Sequence, residues 1–182
     1  MAVALLIYLS WSVGITALAA QDIQKNKMYE TINARQQTSW ETAQQIWTWA
    51  EPGYQETKSS ALLIKILRSQ GFDIKSGIAG IPTAFTATFG EGKPVIGMLG
   101  EYDALPGLSQ QVIPQRAQTE HKTNGYGHGC GHHLLGVASM EGAIAIAQQI
   151  KAGNIQGTIR YYGCPAEEGG SAKVFMVNAG LF

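Results

Sequence analysis

Apolar residues recur along this chain in several rhythms, and each rhythm predicts a different element. The first twenty residues carry no charged side chain and are long enough, as a helix, to reach across a bilayer. They end Ala17-Leu18-Ala19 before Ala20-Gln21, the small-x-small pattern of a secretory cleavage site, although no Lys or Arg opens the segment as a signal peptide normally requires. The expectation is a signal peptide and a periplasmic or secreted protein. An uncleaved anchor and a cytoplasmic protein with a mis-assigned start are the alternatives.

From Asp22 to Ala50 the chain is mostly polar, with Ile32, Trp40, Ala43, Ile46, Trp47 and Ala50 falling into helical spacing in the second half. Glu51-Pro52-Gly53-Tyr54 breaks that pattern. A second helix is predicted from about Thr57, with Ala61, Ile64 and Leu67 on one stripe and Gly71 as its stop. Thr83 to Phe89 alternates with period two, placing Phe85, Ala87 and Phe89 on one side of a half-buried strand. After the turn Gly90-Glu91-Gly92-Lys93, the continuous apolar run Val95 to Leu99 predicts a strand covered on both faces. Pro106 to Tyr126 is polar and irregular, and a loop of that length inside a compact domain is commonly functional. Leu134 to Lys151 is a predicted helix dense in Gly and Ala, which permits close approach of a neighbour, and Asn154 ends it. A strand over Ile155 to Tyr162 and a short helix over Ser171 to Asn178 follow. This order argues an α/β layered structure. It divides the chain into an apolar leader, 1–20, and one folded unit, 21–182.

Composition narrows the partners. Thirteen basic and thirteen acidic residues leave no net field to attract nucleic acid or an anionic membrane, so the expected partner is a small molecule. Many of the 22 glycines sit in two segments, and both cysteines, Cys130 and Cys164, lie in those same segments. In an exported protein the two could form one disulfide; their glycine-rich surroundings favour at least one as a thiolate metal ligand.

The first segment is Gly125-Tyr-Gly-His-Gly-Cys-Gly-His-His133. One glycine separates Cys130 from His132, and the backbone freedom around them lets both side chains converge on one point. Thiolate and imidazole together suit zinc and tolerate manganese or cobalt. The alternative is a glycine-rich loop with an incidental histidine and a buried cysteine. His128 and His133 are further candidates, as ligands or as groups that orient a ligand, whereas His121 reads as a solvated surface histidine. The second segment, Cys164-Pro-Ala-Glu-Glu168, follows a predicted strand, the place where α/β proteins bind ligands. Adjacent side chains there point in different directions, so one of Glu167 and Glu168 can bind metal while the other takes a proton from the attacking water. A solvated surface pair is the alternative. Glu101 and Asp103, at i and i+2 after the apolar strand, can project to one side and touch a metal or hold a histidine by its second nitrogen. A turn capped by Asp103 ahead of Pro106 is the plainer reading.

Glu101-Tyr-Asp-Ala-Leu-Pro-Gly, His128-Gly-Cys-Gly-His-His and Cys164-Pro-Ala-Glu-Glu-Gly-Gly, in this order, resemble the aminoacylase and carboxypeptidase superfamily of metallopeptidases, in its cysteine-ligand amidohydrolase branch. Gly80-Ile-Pro-Thr-Ala-Phe-Thr-Ala-Thr and Ile96-Gly-Met-Leu-Gly extend the likeness, which covers about residues 28 to 182. The resemblance implies an α/β catalytic domain, a mixed sheet flanked by helices, of which this chain is the N-terminal part. It implies a pair of divalent ions, zinc or manganese, held partly by Cys130, His132 and Glu168, with Glu167 as general base. The implied substrate is an N-acyl or N-aroyl amino acid such as p-aminobenzoyl-glutamate. A dipeptidase of the same superfamily and a non-catalytic metal-binding or subunit-pairing module are the other readings.

Two departures qualify what is carried over. Many relatives read Cys-Gly-His-Asp-Gly-His, whereas Cys130-Gly-His-His-Leu-Leu has His133 and Leu135 at the Asp and second His positions, so neither role transfers. Such enzymes also need histidine ligands further downstream and a smaller lid domain that often pairs subunits, as homo- or hetero-oligomers. Neither lies in this sequence, and the expectation is weak metal binding and little turnover for these residues alone.

Overall fold

The computed structural model describes residues 22–119 and 125–182; the apolar leader and His121 lie outside them. Residues 22–34 are helical (α1), and α2 (Gln36–Trp49) follows after a break at Arg35. The Arg35 guanidinium donates to both carboxylate oxygens of buried Glu141, at 2.5 and 3.0 Å, and so fixes this break against the rest of the fold. The helix pattern expected only beyond the middle of Asp22 to Ala50 thus extends to its start. Thr42, Ala43 and Ile46 form the buried face of α2; Trp40, placed on that face by its spacing, is 53% exposed.

The chain leaves α2 through Ala50 in the left-handed region and enters α3 (Thr57–Ser69). The first turn of a helix presents unpaired N–H groups, and here the Glu51 carboxylate accepts from Lys58 N–H at 3.0 Å and Ser59 N–H at 2.8 Å. Gly71, at φ +90°, turns the chain after α3 as expected.

The strands are β1 (Asp73–Ser76), β2 (Phe85–Glu91), β3 (Val95–Glu101) and β4 (Gly157–Cys164), in the order β1-β2-β4-β3. Both β1 and β4 run antiparallel to β2, while β3 and β4 are parallel, so the sheet is mixed. The crossover between β3 and β4 is α4 (His132–Lys151), and α5 (Ala172–Asn178) follows β4. Ile159 and Tyr161 of β4 pack into the core with Ile46, Leu63, Leu67, Met140 and Ile144 from α2, α3 and α4. Tyr162 and Cys164, on the opposite face of β4, pack with Met176 of α5. Helices therefore cover both faces of the sheet. Among the described residues no helix is long and apolar enough to cross a membrane.

Two sequence expectations are corrected. The strand buried on both faces is β4, whereas Val95 and Ile96 of β3 are 51% and 52% exposed. Burial follows position in the sheet: β4 is paired on both sides, while among the described residues β3 pairs only with β4. The short strand β1, Asp-Ile-Lys-Ser, went unpredicted because four largely exposed residues carry no apolar alternation. The small residues of α4 do permit close approach. A Cβ at Gly136 would lie 2.3 Å from the Glu101 carbonyl oxygen, so α4 rests directly on the end of β3.

Candidate metal centre

Parallel pairing brings two of the three motifs together. Glu101 of β3 is in register with Cys164 of β4, so the chain segments 101–105 and 164–168 leave the sheet side by side at its carboxyl end. The third motif arrives from above them. Gly131, at φ +76°, turns the glycine-rich segment into α4, and the contact at Gly136 sets the first turn of that helix beside Glu101.

His132, the first residue of α4, is the centre of the cluster. Its Nδ1 lies 2.9 Å from Asp103 Oδ1 and 3.1 Å from the Asp103 carbonyl oxygen. Its Nε2 lies 3.1 Å from Glu101 Oε2, 3.8 Å from Glu167 Oε2 and 3.9 Å from Glu168 Oε1. Ligand atoms of Glu101, His132 and Glu167 all fall within 4.8 Å of one another. Asp103, fully buried, uses its other oxygen to accept the Glu168 N–H at 2.8 Å. One carboxylate thus orients the imidazole and one of the two glutamates together. Asp103 hydrogen bonding lifts the His132 pKa above its ordinary value. Burial works to raise the Asp103 carboxyl, but the bonds from His132 and the Glu168 N–H outweigh it and hold the group below the usual carboxylate range.

Four carboxylates crowd one imidazole, and the Lys173 ammonium of α5 pairs with Glu101 Oε1. Such an excess of negative charge in a partly buried site is stabilised by a bound cation. Glu168 Oε1 is buried with no hydrogen-bond partner among the described residues, an orphaned anionic oxygen facing the cluster. The donor set therefore fits a divalent metal. The side chains of Glu168 and Glu101 are 17% and 15% exposed, against 44% for Glu167, which leaves Glu167 the more open to an incoming molecule.

The cysteines divide. Cys164 is buried and free, its thiol donating to the Tyr162 carbonyl and pushed up to about 12 by burial. Cys130 is exposed and free, and hydrogen bonding to the Glu168 carboxylate beside it raises its pKa. No disulfide joins them. His128 and His133 pack on each other, ring centroids 4.9 Å apart, and His128 Nε2 lies 3.1 Å from the Ile46 carbonyl oxygen on α2. Burial pulls the His128 pKa down to about 4, and that of His133 down as well. Of the residues singled out from sequence, Glu101, Asp103, His132, Glu167 and Glu168 meet, with Cys130 against Glu168.

Sequence reasoning missed three residues. Lys173 reads as an ordinary helix lysine. Glu51 and Glu56 flank the Pro52-Gly53 break and carry no assigned role in the sequence reading, yet both are buried. An acid ahead of a predicted helix start is the available signal for both Glu51 and Glu56, but it says nothing of their burial.

No family model matches the chain. Over 154 residues it is 48% identical to one of the subunits of p-aminobenzoyl-glutamate hydrolase of Escherichia coli, covering 84% of this chain and 32% of that protein. It is 28% identical over 182 residues to mouse Xaa-Arg dipeptidase, covering 93% of this chain and 38% of that one. The chain thus spans about a third of the length of these relatives. Its fold matches a dinuclear metal-binding peptidase of the M20 family from Bacillus subtilis, with a TM-score of 0.65 at 23% identity, over 86% of this chain and 40% of that one.

Proposed function

We propose that this chain, a relative of the aminoacylase and carboxypeptidase-like metallopeptidases, carries the base and part of the metal site of a hydrolase that cleaves linear amides. The observation that carries the reading is the convergence of Glu101, His132, Glu167 and Glu168 on one point, with Asp103 behind the imidazole. Cys130, His132, Glu168 and Glu101 would hold divalent ions, zinc or manganese and two in number. Bound there, the metal would polarise the amide carbonyl and make water more acidic.

The protein's own groups do the rest. Asp103 accepts from Nδ1–H, which fixes the tautomer that presents the Nε2 lone pair to the cluster. Glu167, the most open carboxylate, takes a proton from the attacking water and delivers it to the leaving amine. The substrate class is an N-acyl or N-aroyl amino acid, with p-aminobenzoyl-glutamate first because the E. coli relative is named for it. A dipeptide is the second reading, supported by the likeness to Xaa-Arg dipeptidase. The remaining ligands and the oligomer contact come from sequence beyond these residues, and the apolar leader directs export.

The test is hydrolysis by the protein as its gene encodes it, loaded with zinc or manganese, of p-aminobenzoyl-glutamate, N-acyl amino acids and dipeptides. Loss of the base in Glu167→Ala should lower kcat by about 10²–10⁴-fold. Wild-type turnover in that variant removes Glu167 from its role, and no hydrolysis of any substrate by the wild type overturns the reading.

A further inference from the structure

The turn between α2 and α3 grips both carboxylate segments of the metal centre. Ala104 N–H donates to the Glu51 carbonyl at 2.9 Å, and the Tyr54 hydroxyl donates to the Gly170 carbonyl at 2.5 Å. Two residues beyond Tyr54 comes Glu56, whose side chain is fully buried and whose hydrogen-bond partners are not candidate ligands. Glu56 Oε1 accepts the Ala166 N–H at 2.7 Å. Its Oε2 accepts the Thr83 hydroxyl at 3.0 Å. The Thr83 carbonyl in turn accepts the hydroxyl of fully buried Tyr102, at 2.6 Å.

Each end of this chain of bonds stops one residue short of the reacting groups. Ala166 precedes Glu167 and sits at φ +50°, a left-handed conformation that a residue with a Cβ adopts only when its surroundings impose it. A Cβ at Gly170 would stand 2.7 Å from that of Ala166, so the turn is already closely packed. Tyr102 lies between Glu101 and Asp103. No cation pairs with Glu56 among the described residues, and burial raises its pKa against the opposing bonds from its own N–H, Ala166 and Thr83. A buried acid with no cation beside it carries a desolvation cost, which here is offset by the two donors it satisfies, Ala166 N–H and the Thr83 hydroxyl.

We propose that Glu56 is a positioning residue for the hydrolytic centre. It holds Ala166 in the turn that aims Glu167 and Glu168, and through Thr83 and Tyr102 it locks that turn to the strand end bearing Glu101 and Asp103. This rests on the reading of the site as a metal-dependent hydrolase. Glutamine would keep both contacts, because the Thr83 hydroxyl can accept from its amide, whereas methionine fills a similar volume and removes the acceptors of both Ala166 N–H and the Thr83 hydroxyl. Valine at Thr83 removes the second of these bonds from the other side and leaves the Thr83 carbonyl for Tyr102.

The test uses the complete protein, with Glu56→Met, Thr83→Val and Thr83→Ser, and reads kcat, KM, Zn²⁺ affinity by calorimetry and thermal stability. Small misplacement of a reacting group costs about 10²-fold in rate, and lost support of a ligand costs about 10–100-fold in metal affinity. Glu56→Met and Thr83→Val are therefore expected to lose about 10–100-fold in kcat with KM little changed, and to bind Zn²⁺ about 10-fold more weakly. Thr83→Ser, which keeps the hydroxyl, restores both. A lower melting temperature with wild-type kcat and Zn²⁺ affinity in folded Glu56→Met marks a purely structural role and overturns the inference. Should that variant not fold, wild-type values in Thr83→Val overturn it instead. If the wild type cleaves no amide, the hydrolase reading fails by itself, and the Zn²⁺ titrations still decide whether Glu56 positions the ligands.

Discussion

Asp103→Asn is the most informative single substitution at the centre, because it preserves shape and removes one acceptor. The aspartate carboxylate serves two donors at once, His132 Nδ1–H at 2.9 Å and Glu168 N–H at 2.8 Å, in a fully buried position. An asparagine has one carbonyl oxygen, so in either orientation its NH₂ must face one of those donors. Hydrogen bonds to a charged group contribute about 1.5–3 kcal/mol each. Losing one and leaving a buried donor unpaired sums to about 3–5 kcal/mol, the range found when one partner of a buried pair is removed. At about 2–4 °C per kcal/mol for a chain of this size, the melting temperature falls on the order of 10 °C. Metal affinity falls by about 10–100-fold as the imidazole loses its orienting partner. Calorimetric melting and Zn²⁺ titration measure the two effects, and ¹⁵N NMR of the imidazole reports whether the Nδ1–H tautomer is lost. A variant that melts within about 2 °C of wild type, binds Zn²⁺ equally and keeps the tautomer would refute the role given to Asp103.

Gly136→Ala should destabilise the protein by about 1–3 kcal/mol, because its Cβ would meet the Glu101 carbonyl oxygen at 2.3 Å and neither backbone can yield alone. The same shift moves His132 away from Glu101, so weakened metal binding should accompany the lowered melting temperature; an unchanged melting curve would contradict the α4 contact. Alkylation of the metal-free protein by iodoacetamide should modify exposed Cys130 and spare buried Cys164 until the chain unfolds. Because the neighbouring Glu168 raises the Cys130 thiol, its rate should keep climbing at pH values where an unperturbed thiol has levelled off. Added Zn²⁺ should protect it, as mass mapping would show; equal labelling with and without metal would remove Cys130 from the ligand set.

Local signals in the sequence carried through to structure where local physics decides. The stop at Gly71, the period of Phe85 and Ala87, and the small residues of α4 each describe how a segment meets its immediate neighbours, whereas the stripe expected on α3 is displaced, with Ala61 exposed and Leu63 buried beside Leu67. The pairing of Asp103 with a histidine nitrogen was among the expected roles, since the i and i+2 carboxylates leave a strand end toward the same side. Their division of labour, Asp103 to Nδ1 and Glu101 to Nε2, depends on how α4 approaches and was not readable. The exposure of Val95 and Ile96 likewise depends on which strands flank β3, a property of topology rather than of those residues. Glu56 is the extreme case. Nothing near it in sequence marks it as buried, because its partners Thr83 and Ala166 lie 27 and 110 residues away.

The outer edge of β3 has a practical consequence. It offers a seven-residue row of backbone groups, with apolar side chains at Val95, Ile96 and Leu99, to anything that can add a strand. Lysine or proline within a strand discourages such addition, and Val-Ile-Gly-Met-Leu-Gly-Glu contains neither. A polypeptide made of these residues alone should therefore be adhesive, associating more as its concentration rises. Ligand titrations on it need a matching sedimentation series, or heat released by strand addition will be read as heat of metal binding.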